Sequence, residues 1–220
     1  VLFRSALAQR NRNVRQQSTF LGAGAYDHYV PSIVNHVLAR NELYTAYTPY
    51  QAEASQGTLQ FMFEFQSLIC DLLSMDVANS SVYDGASGLA EAVLMALRIT
   101  GRDRVVLAAS VYPEYRQVVE TYLEGRDLHL VSPDPRREGD RIIEPSISDL
   151  VDESTACVVV QQPSFFGTIE DLSEARQRAE AVGAMFVVVT GDPVSLGLIK
   201  PPDRKSTRLN SSHVALSRMP

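Results

Sequence analysis

Lysine is nearly absent. The 220-residue chain carries only Lys200 and Lys205, and arginine supplies the rest of its positive charge. Any chemistry that needs a side-chain amine as nucleophile therefore has two candidates here. Positive charge is scarce overall: the net charge of −6 offers no electrostatic footprint for nucleic acid or an anionic membrane. No apolar run reaches the roughly eighteen residues of a membrane span. No leader with a charged start, apolar middle and small-residue cleavage site is visible. Cysteine is limited to Cys70 and Cys157, both among apolar neighbours and neither at metal-ligand spacing from a histidine. The expectation is two buried, reduced thiols, no metal, and a reducing compartment such as the cytoplasm. What remains is an ordinary globular composition, long enough for one large domain or one and a fraction.

Against that background one stretch stands out, Tyr44-Thr-Ala-Tyr-Thr-Pro-Tyr-Gln-Ala-Glu-Ala-Ser-Gln-Gly57. Tyrosines, hydroxyls, amides and a carboxylate crowd together with no apolar run between them. Buried, each unpartnered polar group would cost about 1–3 kcal/mol, so this stretch is not core filler. Pro49 pushes Thr48 toward extended geometry, and Gly57 permits close backbone approach. Two readings are open: a loop lining a ligand pocket or subunit seam, or a solvated loop ahead of a helix.

The ends read differently from the middle. Val1–Ser5 and residues 203–220 have no core logic and read as translated adapter sequence, which makes the remainder an internal piece of a longer protein. Between them lie an N-terminal helical segment with the polar loop, 6–80, and a partial large α/β domain, 81–202.

Apolar periodicity predicts helices over 32–40 and 58–73. The second has Leu59, Met62, Phe63, Phe65, Ile69, Cys70 and Leu73 on a face expected to pack into a core. His28 beside Asp27, and His36 within the first helix, read as structural. Asp84-Gly-Ala-Ser-Gly88 leads into a helix over 89–99. It fits either an anion held by free N–H groups at the helix start or a simple cap by Asp84 or Ser87. From residue 101, apolar strands over 104–109, 128–131, 156–161 and 185–189 alternate with helices over 112–123, 146–151 and 170–182. The charged stretch 134–143 reads as a solvated loop. Such alternation predicts a parallel sheet covered on both faces. Ligands then sit beyond the carboxyl ends of the strands, where Gln161–Ser164 and Thr190–Asp192 fall.

Several strings together resemble the glycine cleavage system P-protein family, the pyridoxal-phosphate (PLP) enzyme glycine dehydrogenase (decarboxylating). They are Phe20–Tyr29, Tyr47-Thr-Pro-Tyr-Gln51 with Glu53 and Ser55-Gln-Gly57, Ile69–Asn79, Tyr83–Ala92, Val160–Gly167 and Gly191–Pro202, in that order. The likeness is to the N-terminal half, made in many bacteria as a separate subunit, here truncated on its C-terminal side. It implies fold type I of the PLP-dependent transferases, the large domain with a mostly parallel sheet. It implies an enzyme that decarboxylates glycine on PLP and passes the aminomethyl group to the lipoylated H-protein.

In that fold an aspartate at the position of Asp192 pairs with the pyridinium nitrogen, and the region of Ser87 clasps the phosphate. The cofactor lysine lies in the other half, subunit 2. Lys200 follows Asp192 too soon to serve, and Lys205 lies in the suspect tail. The resemblance thus implies no catalytic residue in this chain, which alone would be inactive. Tyr44, Tyr47, Thr48, Tyr50, Gln51, Ser55 and Gln56 would line the seam with the lysine-bearing half, while Glu53 ties the loop down. Two alternatives stay open: a self-sufficient fold-type-I aminotransferase or decarboxylase cut before its lysine, and a non-catalytic α/β scaffold subunit.

Overall fold

The structure is a computed structural model that describes residues 2–11, 18, 22–24, 26–43, 48–139 and 141–201. Its chain divides into two compact units, Val1–Tyr44 and Thr45–Pro220. The first holds two short helices, α1 (Leu2–Ala8) and α2 (Ser32–Leu38), and a 3-10 turn at Asn41–Leu43. Pro31 precedes α2, where a missing N–H does no harm.

The second unit opens with α3 (Gln56–Leu73), closed by Ser74 in the left-handed conformation. This helix departs from expectation. Only Leu73 is buried on it; Leu59, Phe61, Phe63, Leu68 and Leu72 are exposed, and Cys70 is half-buried. Its apolar pattern is real, but the chain described here does not cover it.

α4 (Gly85–Thr100) is the opposite case. Asp84 caps its start, its carboxylate accepting from the Ser87 N–H at 2.7 Å, and Gly101 at φ +66° ends it. The small residues Gly85, Ala86, Gly88, Ala90, Ala92 and Ala96 let it lie close to its neighbours, and ten of its residues are buried. Leu89 and Val93 are wholly inaccessible, each stabilising the fold by about 1.5–3 kcal/mol.

The strands β1 (Arg104–Leu107), β2 (His129–Val131), β5 (Thr155–Gln161) and β6 (Met185–Val189) form one parallel sheet in the order β2-β1-β5-β6. α5 (Pro113–Leu123) links β1 to β2, and α6 (Ser173–Val182) links β5 to β6. Every residue of β5 and β6 is buried, as sheet covered on both faces requires. This is the expected α/β architecture. Where a solvated loop was expected, β3 (Arg136–Glu138) and β4 (Arg141–Ile143) instead pair as an antiparallel hairpin. The helix expected over 146–151 is a 3-10 turn at Ser148–Leu150.

One cation fastens the amino end of the sheet. The Arg102 guanidinium donates to the Thr155 carbonyl at 2.8 Å and to the Val182 carbonyl at 2.7 Å. It thereby joins the entry of β1 to the entry of β5 and the end of α6.

Candidate functional site

Because α4 runs back to the start of β1, its first turn lies toward the carboxyl end of the sheet. Polar side chains that are almost wholly buried gather at that end: Ser110, Gln161, Ser164 and Thr190. Gln161, Ser164 and Ser110 hold the fold together there. The Gln161 amide accepts from the Tyr112 N–H at 2.9 Å and donates to the Pro163 carbonyl at 3.1 Å. Gln162 and Glu170 bind each other through backbone and amide at 3.1 and 3.2 Å. The hydroxyls of Ser164 and Thr168 lie 2.6 Å apart, and the Phe165 N–H donates to the Ser110 carbonyl at 2.7 Å. These bonds turn the chain after β5 into a rigid corner. The Gln162–Pro163 bond within it is cis.

Glu144, just after the hairpin, reaches the same corner. Burial pushes its carboxyl above the ordinary glutamate value; hydrogen bonds from the Ser110 side chain and backbone pull the other way, and nearby Glu170 adds to the rise. Cys157, in the middle of β5, is pushed up to about 12 by burial. It is a packing residue with no thiolate at neutral pH.

An aromatic group covers the corner. The Tyr112 ring lies 5.2 Å from that of Tyr115 and 5.4 Å from that of Phe165, edge-on to the latter. Phe166 continues the row at 5.4 Å. On its other side Tyr112 rests on bare backbone: a Cβ added to Gly191 would meet its Cε2 at 2.5 Å. Sequence reasoning passed over Tyr112 and Glu144. A tyrosine before a proline reads as a helix start, and only the meeting of the β1 and β6 ends gives it a second meaning.

The residues singled out from sequence fall in three places. Tyr44 and Tyr47 lie outside the described residues. Thr48, Tyr50, Gln51 and Gln56 are exposed and Ser55 is half-buried. Their stretch is a pair of turns, with Tyr50 N–H donating to the Thr48 carbonyl, Ala54 N–H to Gln51, and Ser55 N–H to Ala52. Ser55 ends as the residue ahead of α3. Ser87 sits in the first turn of α4 with its N–H engaged by Asp84. Asp192 follows β6, but its carboxylate accepts from the Val194 N–H at 3.0 Å and caps a 3-10 turn at Pro193–Gly197. Lys200 is exposed, and Lys205 lies outside the described residues. Among the described residues, no three histidine, cysteine or acidic side chains converge as a metal site, and no helix is long and apolar enough to cross a membrane.

The parallel sheet with its loops gathered at the carboxyl edge is an α/β architecture, and the solved structures that superpose on it place it in fold type I of the PLP-dependent transferases. The apo structure of cysteine desulfurase from Thermococcus onnurineus NA1 shares that fold, with a TM-score of 0.54 at 16% identity over 78% of this chain and 43% of that one. Within the class the chain belongs to the glycine cleavage system P-protein family, which matches residues 3–209. A probable glycine dehydrogenase (decarboxylating) subunit 1 from Desulforamulus reducens is 53% identical over 198 residues, 90% of this chain and 44% of the relative. The crystal structure of glycine decarboxylase (P-protein) of the glycine cleavage system, in inhibitor-bound form, superposes with a TM-score of 0.77 at 46% identity, covering 91% of this chain and 44% of that one. The chain thus spans under half the length of the relatives it matches.

The fold class implies PLP, and the residues described here do not form a seat for it. The space against Gly191 is filled by Tyr112, one oxygen of the Asp192 carboxylate accepts from the Val194 N–H, and the Ser87 N–H donates to Asp84.

Proposed function

We propose that this chain is part of subunit 1 of a glycine dehydrogenase (decarboxylating), and that it forms one wall of an active site completed by a lysine-bearing second half. The whole enzyme decarboxylates glycine and delivers the aminomethyl group to the lipoylated H-protein. PLP is held by the second half, where it supplies the electron sink for decarboxylation.

The observation that carries this division of labour is the closed carboxyl edge. A sheet end that housed the cofactor would leave room over Gly191; here a phenol ring takes the room. The exposed polar loop supports the other part of the reading. Thr48, Tyr50, Gln51 and Gln56 present their side chains outward, as groups that meet a second surface must. With Tyr44, Tyr47 and Ser55 they would contact the partner's substrate and cofactor and exclude water as the seam closes. Asp192 then caps the turn after β6, and Ser87 serves the fold as the N–H that Asp84 caps.

The test uses the assembled two-half enzyme. Tyr50→Phe and Gln56→Ala each remove one hydrogen-bonding group. Glycine–bicarbonate exchange should fall by about tenfold or more, the equivalent of about 1.4 kcal/mol in the barrier. Unchanged exchange in both variants removes the loop from the pocket wall.

A further inference from the structure

The contact between Tyr112 and Gly191 supports a more specific inference. We propose that the Tyr112 ring is a built-in occupant of the cofactor seat, so that this chain excludes a pyridoxal ring by volume, whatever lysine it carries. The inference rests on the reading that the other half holds the cofactor, and it names the residue that enforces that arrangement here.

Three observations support it. The first is distance. A Cβ on Gly191 would lie 2.5 Å from Cε2, 3.0 Å from the hydroxyl and 3.2 Å from Cζ of Tyr112. Stacked carbon atoms need about 3.5–4.0 Å, so no planar ring passes between Tyr112 and the end of β6. Glycine at 191 is what permits the ring to come so close.

The second is immobility. Tyr112 is only 6% exposed. Its N–H is tied to Gln161, itself 1% exposed and braced against the Pro163 carbonyl. Val111 before it is wholly buried, Pro113 after it starts α5, and the rings of Tyr115 and Phe165 flank it. A ring so held is part of the core and does not swing aside for a ligand.

The third is the fate of the neighbouring carboxylate. A pyridinium nitrogen seated here would need Asp192, the next residue after Gly191. Its Oδ1 accepts from the Val194 N–H and caps the turn that follows, with the carbon of Tyr112, not a ring nitrogen, over the neighbouring glycine.

Removing the ring should therefore open a cavity at the carboxyl edge, walled by the rings of Tyr115 and Phe165 and by the backbone at Gly191. Apolar cavities of about 150 Å³ take up single aromatic rings. The probe is 4′-deoxypyridoxine 5′-phosphate, which has no aldehyde and cannot bond to any lysine. Its binding is measured by calorimetry on the wild-type chain, Tyr112→Ala and Tyr112→Phe. We expect Tyr112→Ala to bind at least tenfold more tightly than wild type, and Tyr112→Phe to match wild type because the ring remains. Should Tyr112→Ala fail to fold, Tyr112→Leu carries the same comparison.

A second measurement needs no ligand. Gly191→Ala should lower the melting temperature in the wild-type background and have little effect once Tyr112 is shortened. If neither folded Tyr112→Ala nor the wild type binds the probe, the proposal is overturned, and the two-half reading then stands on the exposed loop and its own exchange test. A Gly191→Ala penalty that is the same in both backgrounds overturns the proposal as well. Tight binding of the probe by the wild type overturns both.

Discussion

Glu144 is a carboxyl whose ionisation the fold opposes. Burial raises its carboxyl, with Glu170 adding to the rise, against hydrogen bonds from Ser110. A group whose pKa is higher folded than unfolded binds its proton more readily in the native state. Its contribution to stability is then complete below the ordinary glutamate value, about 4.3, and is lost as pH climbs through the raised one. Glu144→Gln keeps the shape and removes the titration. The stability of wild type relative to Glu144→Gln should therefore decline from pH 4 to pH 7 in urea titrations; a constant difference would mean that burial does not govern this carboxyl. None of this could be read from Glu144 in sequence, where it is one acid in a charged stretch. Gln161 shows the same limit. Its place at the end of an apolar strand was legible, but its use as a brace for the Tyr112 N–H depends on a residue 49 positions away.

Elements were more legible than the residues that join them. Periodicity located α3, α4, α5 and the four sheet strands because each carries an apolar run or stripe at the spacing of its geometry. It missed the β3–β4 hairpin, whose exposed Arg136-Arg-Glu138 carries charge rather than alternating apolar residues. It also misread what α3 packs against. An amphipathic stripe says that a face is to be covered, and says nothing of which chain covers it. Nor does it reveal joints such as Arg102, whose two carbonyl partners belong to different elements. Hydrogen bonds to a charged donor contribute about 1.5–3 kcal/mol each. Arg102→Ala should therefore destabilise the chain by about 2–4 kcal/mol, since water replaces part of what is lost. At roughly 2–4 °C per kcal/mol for a chain of this size, thermal unfolding should move down by about 4–16 °C. A shift under a degree would show that the guanidinium merely rests on the surface.

At the scale of the molecule, family membership and the α/β class follow from strings and from the alternation of strands and helices that the sequence displays openly. The proposed partition of labour between two halves is also implied by the resemblance and by the placing of the two lysines; the contents of the carboxyl edge, Tyr112 against Gly191, required coordinates. The exposed aromatic face of α3 belongs to this scale too. Phe61 and Phe63 are 56% and 67% exposed, so replacing both with aspartate should alter the stability of the chain alone by no more than about 0.5 kcal/mol each. If the face meets the second half, the same pair should weaken assembly at least tenfold in sedimentation or calorimetry. Assembly at wild-type strength would place the seam elsewhere.

The strand order also sets a timetable for synthesis. β1 acquires β2 as soon as α5 has been made, but its other neighbour pairs Arg104 with Thr155, far later in the chain. Such distant pairing is slow to find because a long loop must close first. Until the ribosome has released Thr155–Gln161, α4 and α5 have half a floor to rest on, and their alanine- and valine-rich undersides stay open to water. A nascent chain paused in that interval is the form that chaperones would meet.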